Sequence, residues 1–208
     1  MRILEWMKAI QRPRVETFPI FPLNTVLFPG GVLPLRVFEQ RYMDMTKACL
    51  RDNTLFGVCL IREGREVGTP AVPEPVGCTA RIADWDMQQL GVLQVRAEGQ
   101  YRFRILSTRQ NGHGLLLAEA ETIAAEEPVP VPPHLVGCAN MLRAVVKDMG
   151  EEAFTQPLQF DDAVWLGYRL SEVLPIKVTA KQKLLELTDP LARLEVLAEF
   201  MRNQGLMS

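Results

Sequence analysis

Between residues 21 and 45 the apolar pattern changes its period once, and the rest of the chain has to accommodate that change. An apolar run at 26–28 meets Pro29-Gly30-Gly31, where proline presets φ and the glycines accept φ > 0, so the chain turns. A second run, 32–38, contains Pro34. Proline cannot donate to a ladder, so this run reads as an edge or irregular strand. From Glu39 onward Tyr42, Met45 and Cys49 recur at helical spacing, with Met43, Asp44, Lys47 and Arg51 on other faces. A strand therefore passes directly into an amphipathic helix of about three turns.

The following segments extend this β-rich beginning. Residues 55–61 are continuously apolar and of strand length, which predicts a central strand buried on both faces. Residues 63–66 read as a turn and 69–75, with three prolines, as an extended loop. Leu93, Val95 and Ala97 then alternate with Gln94, Arg96 and Glu98, and Tyr101, Phe103 and Ile105 with Arg102 and Arg104; Glu98-Gly99 between them is expected to be a tight hairpin turn. Asn111-Gly112-His113-Gly114 closes the next hairpin into 115–122. The run 76–123 thus reads as a meander, part of a twisted, partly closed antiparallel barrel.

Residues 124–133 hold four prolines in ten positions, and strand signals stop there. Helical spacing follows: 135–149 ending at Gly150, a helix capped by Asp161 or Asp162 that carries Trp165 and Tyr168, and a short helix with the capping-box form Thr179 to Gln182. A last helix follows, with Asp189 as cap, Pro190 at its first position and Leu191, Leu194, Ala198 and Met201 as its stripe. The expectation is an α+β chain: an arm at 1–16, a β-barrel-like subdomain at 17–124, a Pro-rich linker at 125–133 and a helical bundle at 134–208. In the arm Ile3, Leu4, Trp6, Met7 and Ile10 could form a short amphipathic turn that Pro13 ends.

With 23 basic and 25 acidic residues the formal net charge is −2, so no whole-chain field draws the protein to nucleic acid or an anionic membrane. Neither a signal peptide nor a membrane span is legible, which predicts a cytoplasmic location. Cys49, Cys59, Cys78 and Cys138 lack metal-ligand spacing and read as small buried thiols. His113 and His134 fall on separate loops, and Asp84 and Asp86, though on one strand face, read as a solvated strand end. No catalytic, cofactor-binding or metal residue is assigned. Two sets remain as candidate contacts: apolar Trp85, Met87 and Leu90 near a hairpin tip, for an unfolded segment, and Arg96, Arg102 and Arg104, for an acidic peptide or an RNA backbone.

Several motifs, in order, carry a resemblance. Phe21-Pro22-Leu23, Leu27-Phe28-Pro29-Gly30 and Leu33-Pro34-Leu35-Arg36-Val37-Phe38-Glu39-Gln40-Arg41-Tyr42 resemble the signature of the N-terminal, substrate-recognising domain of Lon-type ATP-dependent proteases, a domain also found free-standing. Gly77-Cys78-Thr79-Ala80-Arg81-Ile82, the run from Ala97 to Ile105, and Lys181 to Glu186 followed by Asp189 to Leu194 are similar to its later segments. The resemblance covers roughly residues 17 to 202 and implies a PUA-like pseudo-barrel followed by helices. The Gly-Lys-[Ser/Thr] of a phosphate loop is absent, the serines are Ser107, Ser171 and Ser208, and no Ser–Lys dyad is discernible. The resemblance therefore implies a non-catalytic module that recognises protein or peptide segments, with a cleft between its halves near the Pro-rich boundary. A protease acting in trans and the oligomeric state stay open. The alternative is an RNA or small-molecule binding module on the same barrel, using the three arginines; steep salt dependence would distinguish it.

Overall fold

A computed structural model describes residues 14–68 and 71–207; the expected amphipathic turn within residues 1–10 lies outside them. The strands are β1 (Val15–Leu23), β2 (Val32–Val37), β3 (Phe56–Glu63), β4 (Val72–Pro73), β5 (Val76–Gln89), β6 (Val92–Gln110) and β7 (Leu116–Thr122). The helices are α1 (Gln40–Asp52), α2 (Val136–Met149), α3 (Ala163–Val173), α4 (Val178–Glu186) and α5 (Pro190–Asn203). The sheet runs β1-β7-β6-β5-β3-β4, with β2 added on β6. All pairs are antiparallel except β1 with β3, and that parallel pair returns the order β1-β7-β6-β5-β3 to its start. As expected, β3 is central, with 56–60 buried on both faces, and β2 with its Pro34 pairs only β6 among the described residues. Within the expected extended loop, Val72–Pro73 pairs with β3 instead.

β6 departs from expectation. Glu98-Gly99 is not a turn; one strand continues through it from Val92 to Gln110. The strand changes neighbours there, pairing β2 over 93–98 and β7 from 103 onward. Between those partners the Pro29-Gly30-Gly31 turn fills the ladder: Gly30 N donates to Gly99 O and Gly99 N to Gly31 O, both at 2.9 Å. Gly30 has φ +70°, the left-handed value the sequence anticipates. Gly99 is required for space, because a Cβ there would lie 2.1 Å from the Phe28 carbonyl oxygen.

The predicted first helix holds the opening motif together. Tyr42 stacks on Phe21 with centroids 4.0 Å apart, and Arg41 pairs with Glu39 at 2.9 Å while lying over the Tyr42 ring. Met43 joins Tyr42, Met45 and Cys49 in burial, so the inward face is wider than the three-residue stripe. Asp162 caps α3 and Asp189 caps α5, each accepting two backbone N–H bonds. The capping box expected at Thr179 does not form: α4 begins at Val178, Lys177 precedes it, and Gln182 turns inward to donate to Val76 O at 3.0 Å. A buried strand-end carbonyl outcompetes a local cap for that amide.

The two halves share one core. Val26, Phe28, Leu60 and Val76 from the β half pack with Leu135, Leu142, Leu166, Leu170, Leu194 and Leu197 from the helices. The Pro-rich stretch between them is docked: Val131 N donates to Asp161 O, Ala163 N to Val129 O, and Val129 and Val131 pack against that core.

Candidate functional site

The Leu90-Gly91 turn joins β5 to β6 and places three large apolar side chains in solvent: Trp85 is 52% exposed, Met87 41% and Leu90 98%. The sequence-predicted trio is therefore brought together on one hairpin. This hairpin extends past the end of β2, whose last residue, Val37, pairs with Leu93. Beside it β2, β6 and β5 line a groove of about 520 Å³ containing Pro34, Arg36, Asp84, Trp85, Asp86 and Arg96. Register sets Arg96 between Pro34 and Asp84, and Gln94 between Arg36 and Asp86, so the basic Arg36 and Arg96 lie on the β2–β6 side of the groove and the acidic Asp84 and Asp86 on β5. An apolar tip beside a polar sheet face and a strand, β2, that pairs only with β6 among the described residues suits an extended, amphipathic chain segment.

The three arginines do not form one patch. Arg96 and Arg104 are exposed, but Arg102 is only 3% exposed and points into the junction of the halves. There it pairs with Glu126 at 2.7 Å and donates to the carbonyls of Leu185, at 2.8 Å, and Leu187. Arg193 grips the same carboxylate with both terminal nitrogens, at 2.7 and 2.8 Å, and its Nε donates to Leu184 O at 3.0 Å. Tyr168 donates its hydroxyl to Glu126 at 3.0 Å, and burial pushes that phenol well above its ordinary range. The two guanidiniums cap the C-terminal carbonyls of α4, where the helix dipole is negative, and Glu126 neutralises the rest. Composition marked 125–133 as linker and alternation placed Arg102 with the polar residues; a buried carboxylate partner 24 positions away has no local signal.

A cleft of about 430 Å³ does lie between the halves, on the side of the turn at 25–33 instead of beside the Pro-rich segment. Arg169, from α3, reaches across to the carbonyls of Pro29, at 2.7 Å, and Gly30, and pairs with Glu172 at 2.8 Å. Lys181 donates to the Glu172 carbonyl at 2.7 Å. Burial pushes the Glu172 carboxyl up to about 7 against the pull of Arg169. Between about pH 4.5 and 7 the folded protein thus holds a proton the unfolded chain has released, and this group's contribution to stability falls as pH rises through that window. Glu172→Gln removes the titration. The melting temperature of the variant relative to the parent is expected to climb from pH 5 to 7.5; a difference that stays flat across the scan contradicts the assignment.

The remaining titratable candidates stay apart. The four cysteines are free and buried, and burial raises their thiols, Cys138 to about 11 and Cys78 to about 12. His113 sits in the β6–β7 turn and His134 meets Glu195 at 2.7 Å. Among the described residues no group of three or more His, Cys, Asp or Glu side chains is placed to hold a metal ion, and no helix is long and apolar enough to cross a membrane.

Residues 17–203 match the family described as the ATP-dependent protease La (LON) substrate-binding domain. Among solved structures, the Lon N-terminal domain protein from Xanthomonas campestris is similar at 35% identity and a TM-score of 0.74, covering 88% of this chain and 98% of that one. The N-terminal domain of the Mycobacterium avium complex Lon protease shares the fold, with a TM-score of 0.63 at 16% identity. Lon protease 2 of Myxococcus xanthus is 27% identical over 202 residues, and Lon protease of Escherichia coli (strain K12) 25% over 205. The chain spans about a quarter of the length of these curated relatives, 24% and 26% respectively.

Proposed function

This chain belongs to the Lon protease substrate-binding domain family, and on that premise we propose that it captures unfolded or extended protein segments at the β5–β6 tip. The observation that carries the reading is the joint exposure of Trp85, Met87 and Leu90 on one hairpin beside β2, which pairs only with β6 among the described residues. Apolar side chains of the client pack on the tip, and its backbone adds to β2 as a further strand. Pro34 and Arg36 shield that edge from pairing with copies of itself, which a recognition edge requires. In this reading the ring of strands is a pseudo-barrel that holds the hairpin rigidly, and the helical half braces it from one end. The module binds without ATP hydrolysis or peptide-bond cleavage of its own and delivers segments to a protease acting in trans. The buried free thiols fit a reducing, cytoplasmic setting.

Binding of a reduced, carboxymethylated model protein tests this at roughly 0.05 M and roughly 1 M salt, where the screening length falls to about 3 Å. Retention at both salts is expected. The paired substitutions Trp85→Ser and Leu90→Ser should weaken binding by about tenfold or more, since each anchor is worth about 1.5–3 kcal/mol when covered. Because both side chains are exposed, the melting temperature should hardly move. Retention of RNA lost at high salt, with no client bound, overturns the reading in favour of a basic surface around Arg96 and Arg104.

A further inference from the structure

The cleft between the halves holds more polar capacity than the fold uses. Val26, Leu27, Val145, Met149 and Phe154 give it apolar walls, and its volume of about 430 Å³ is within the range of small-molecule sites. Three charged side chains line it: Arg169 and Glu172 from α3, and Lys181 from α4. Arg169 is committed. It is buried, pairs with the Glu172 carboxylate through Nε and Nη2 at 2.8 and 2.9 Å, and donates to the carbonyls of Pro29 and Gly30. Lys181 differs. Its ammonium carries three donors, and the 2.7 Å bond to the Glu172 backbone carbonyl uses one of them. Glu172 is the carboxylate whose field reaches it, and Arg169 already holds that group. Thr155 also lines the cleft, with a hydroxyl that is buried and has no hydrogen-bond partner among the described residues. A hydroxyl in that state carries a desolvation cost that a bound acceptor removes.

These groups define a ligand. An ammonium with donors to spare and an unpaired hydroxyl call for an acceptor with several lone pairs. With Arg169 matched by Glu172, one positive charge is left over, which calls for a monoanion; a dianion such as phosphate would leave a charge uncompensated beside Glu172. The apolar walls call for a hydrocarbon body next to the anion. We propose that this cleft binds a carboxylate carried on a compact apolar body. Lys181 pairs with the anion, Thr155 donates its unpaired hydroxyl to it, and the walls from Val26 to Phe154 enclose the body. The carboxylate belongs to a free acid or to the last residue of a polypeptide, and both present the same chemistry to these residues. The site does not depend on capture at the β5–β6 tip, since Trp85, Met87 and Leu90 take no part in lining it.

Titration of the full chain with phenylpropionate, followed by amide NMR, tests this. Saturable shifts are expected at Gly30, Thr155 and Lys181 and not at Trp85 or Leu90. Phenylpropionamide has the same shape without the charge and should bind about tenfold more weakly, as should phenylpropionate to Lys181→Gln. Thr155→Val keeps the side-chain shape; it should weaken binding about threefold while the melting temperature holds or rises. Lys181 also ties α4 to α3 through the Glu172 carbonyl, so the acid-against-amide comparison on the parent chain decides the matter if Lys181→Gln fails to fold. A tetrapeptide ending in phenylalanine, with its carboxylate free or amidated, identifies the source. Tighter binding of the free-carboxylate peptide than of phenylpropionate assigns the site to polypeptide ends, and weaker binding assigns it to free acids. Equal binding of acid and amide, shifts confined to the tip, or no saturation by either carboxylate probe overturns the proposal.

Discussion

Replacing Glu126 by alanine is expected to cost about 3–5 kcal/mol, the range for removing one partner of a buried ion pair. The carboxylate is the counter-ion of two guanidiniums, those of Arg102 and Arg193, which are buried almost completely. Without it, both buried guanidiniums beside Tyr168 lose the carboxylate they share. The carbonyls of Leu184, Leu185 and Leu187 still accept hydrogen bonds from them, which favours the lower half of the range. For a chain of this size the melting temperature should fall by about 10 °C. Arg104→Gln, at an exposed position one residue beyond the buried Phe103, is the control and should stay within about 0.5 kcal/mol of the parent. Thermal or denaturant unfolding of both variants decides the matter: equal effects would mean that the cluster contributes nothing specific.

Gly99→Ala is the second large effect. The added methyl would stand 2.1 Å from the Phe28 carbonyl oxygen and 3.3 Å from the Cys78 sulfur. The nearer obstacle is backbone, held by reciprocal hydrogen bonds of Gly99 with Gly30 and Gly31 and by the grip of Arg169 on Pro29. Overpacking costs about 1–3 kcal/mol where side chains can yield, so a fixed carbonyl puts this change at about 3 kcal/mol or above. The expected signature is a fall in midpoint by equilibrium unfolding, together with exchange of the Gly30 and Gly99 amides much faster than in the parent. A turn at Glu98-Gly99 would predict a mild effect; a loss under about 1 kcal/mol would contradict the continuous strand.

This position also shows which features were legible in the sequence. Period two runs through Gly99 without a break, since Leu93, Val95, Ala97, Tyr101, Phe103 and Ile105 all occupy odd positions, and that uninterrupted phase was the available sign of one long strand. A glycine in a strand pattern reads as a turn former because φ > 0 is the commoner reason for it; close approach of a distant carbonyl leaves no local trace. Helices α3 and α5 were legible because Asp162 and Asp189 cap them from adjacent positions. Arg102 was misplaced for the opposite reason: its partners Glu126, Leu187 and Arg193 are close only after folding. The same holds for Arg169, whose role is to fasten the Pro29-Gly30 turn, and for the cleft that forms beside it. At the hairpin tip, composition sufficed to nominate Trp85, Met87 and Leu90, but their exposure depends on how the folded β5–β6 hairpin is covered, which no local pattern records.

The claim that clients bind at this tip is tested most directly by amide hydrogen exchange on the full chain, with and without saturating reduced, carboxymethylated model protein. Client binding should slow exchange in residues 32–37 and 84–96, leaving α5 and the junction at Glu126 unchanged. Slowed exchange confined to the helical half, or along the cleft at Arg169 and Glu172, would contradict it and move the recognition surface off the β5–β6 hairpin.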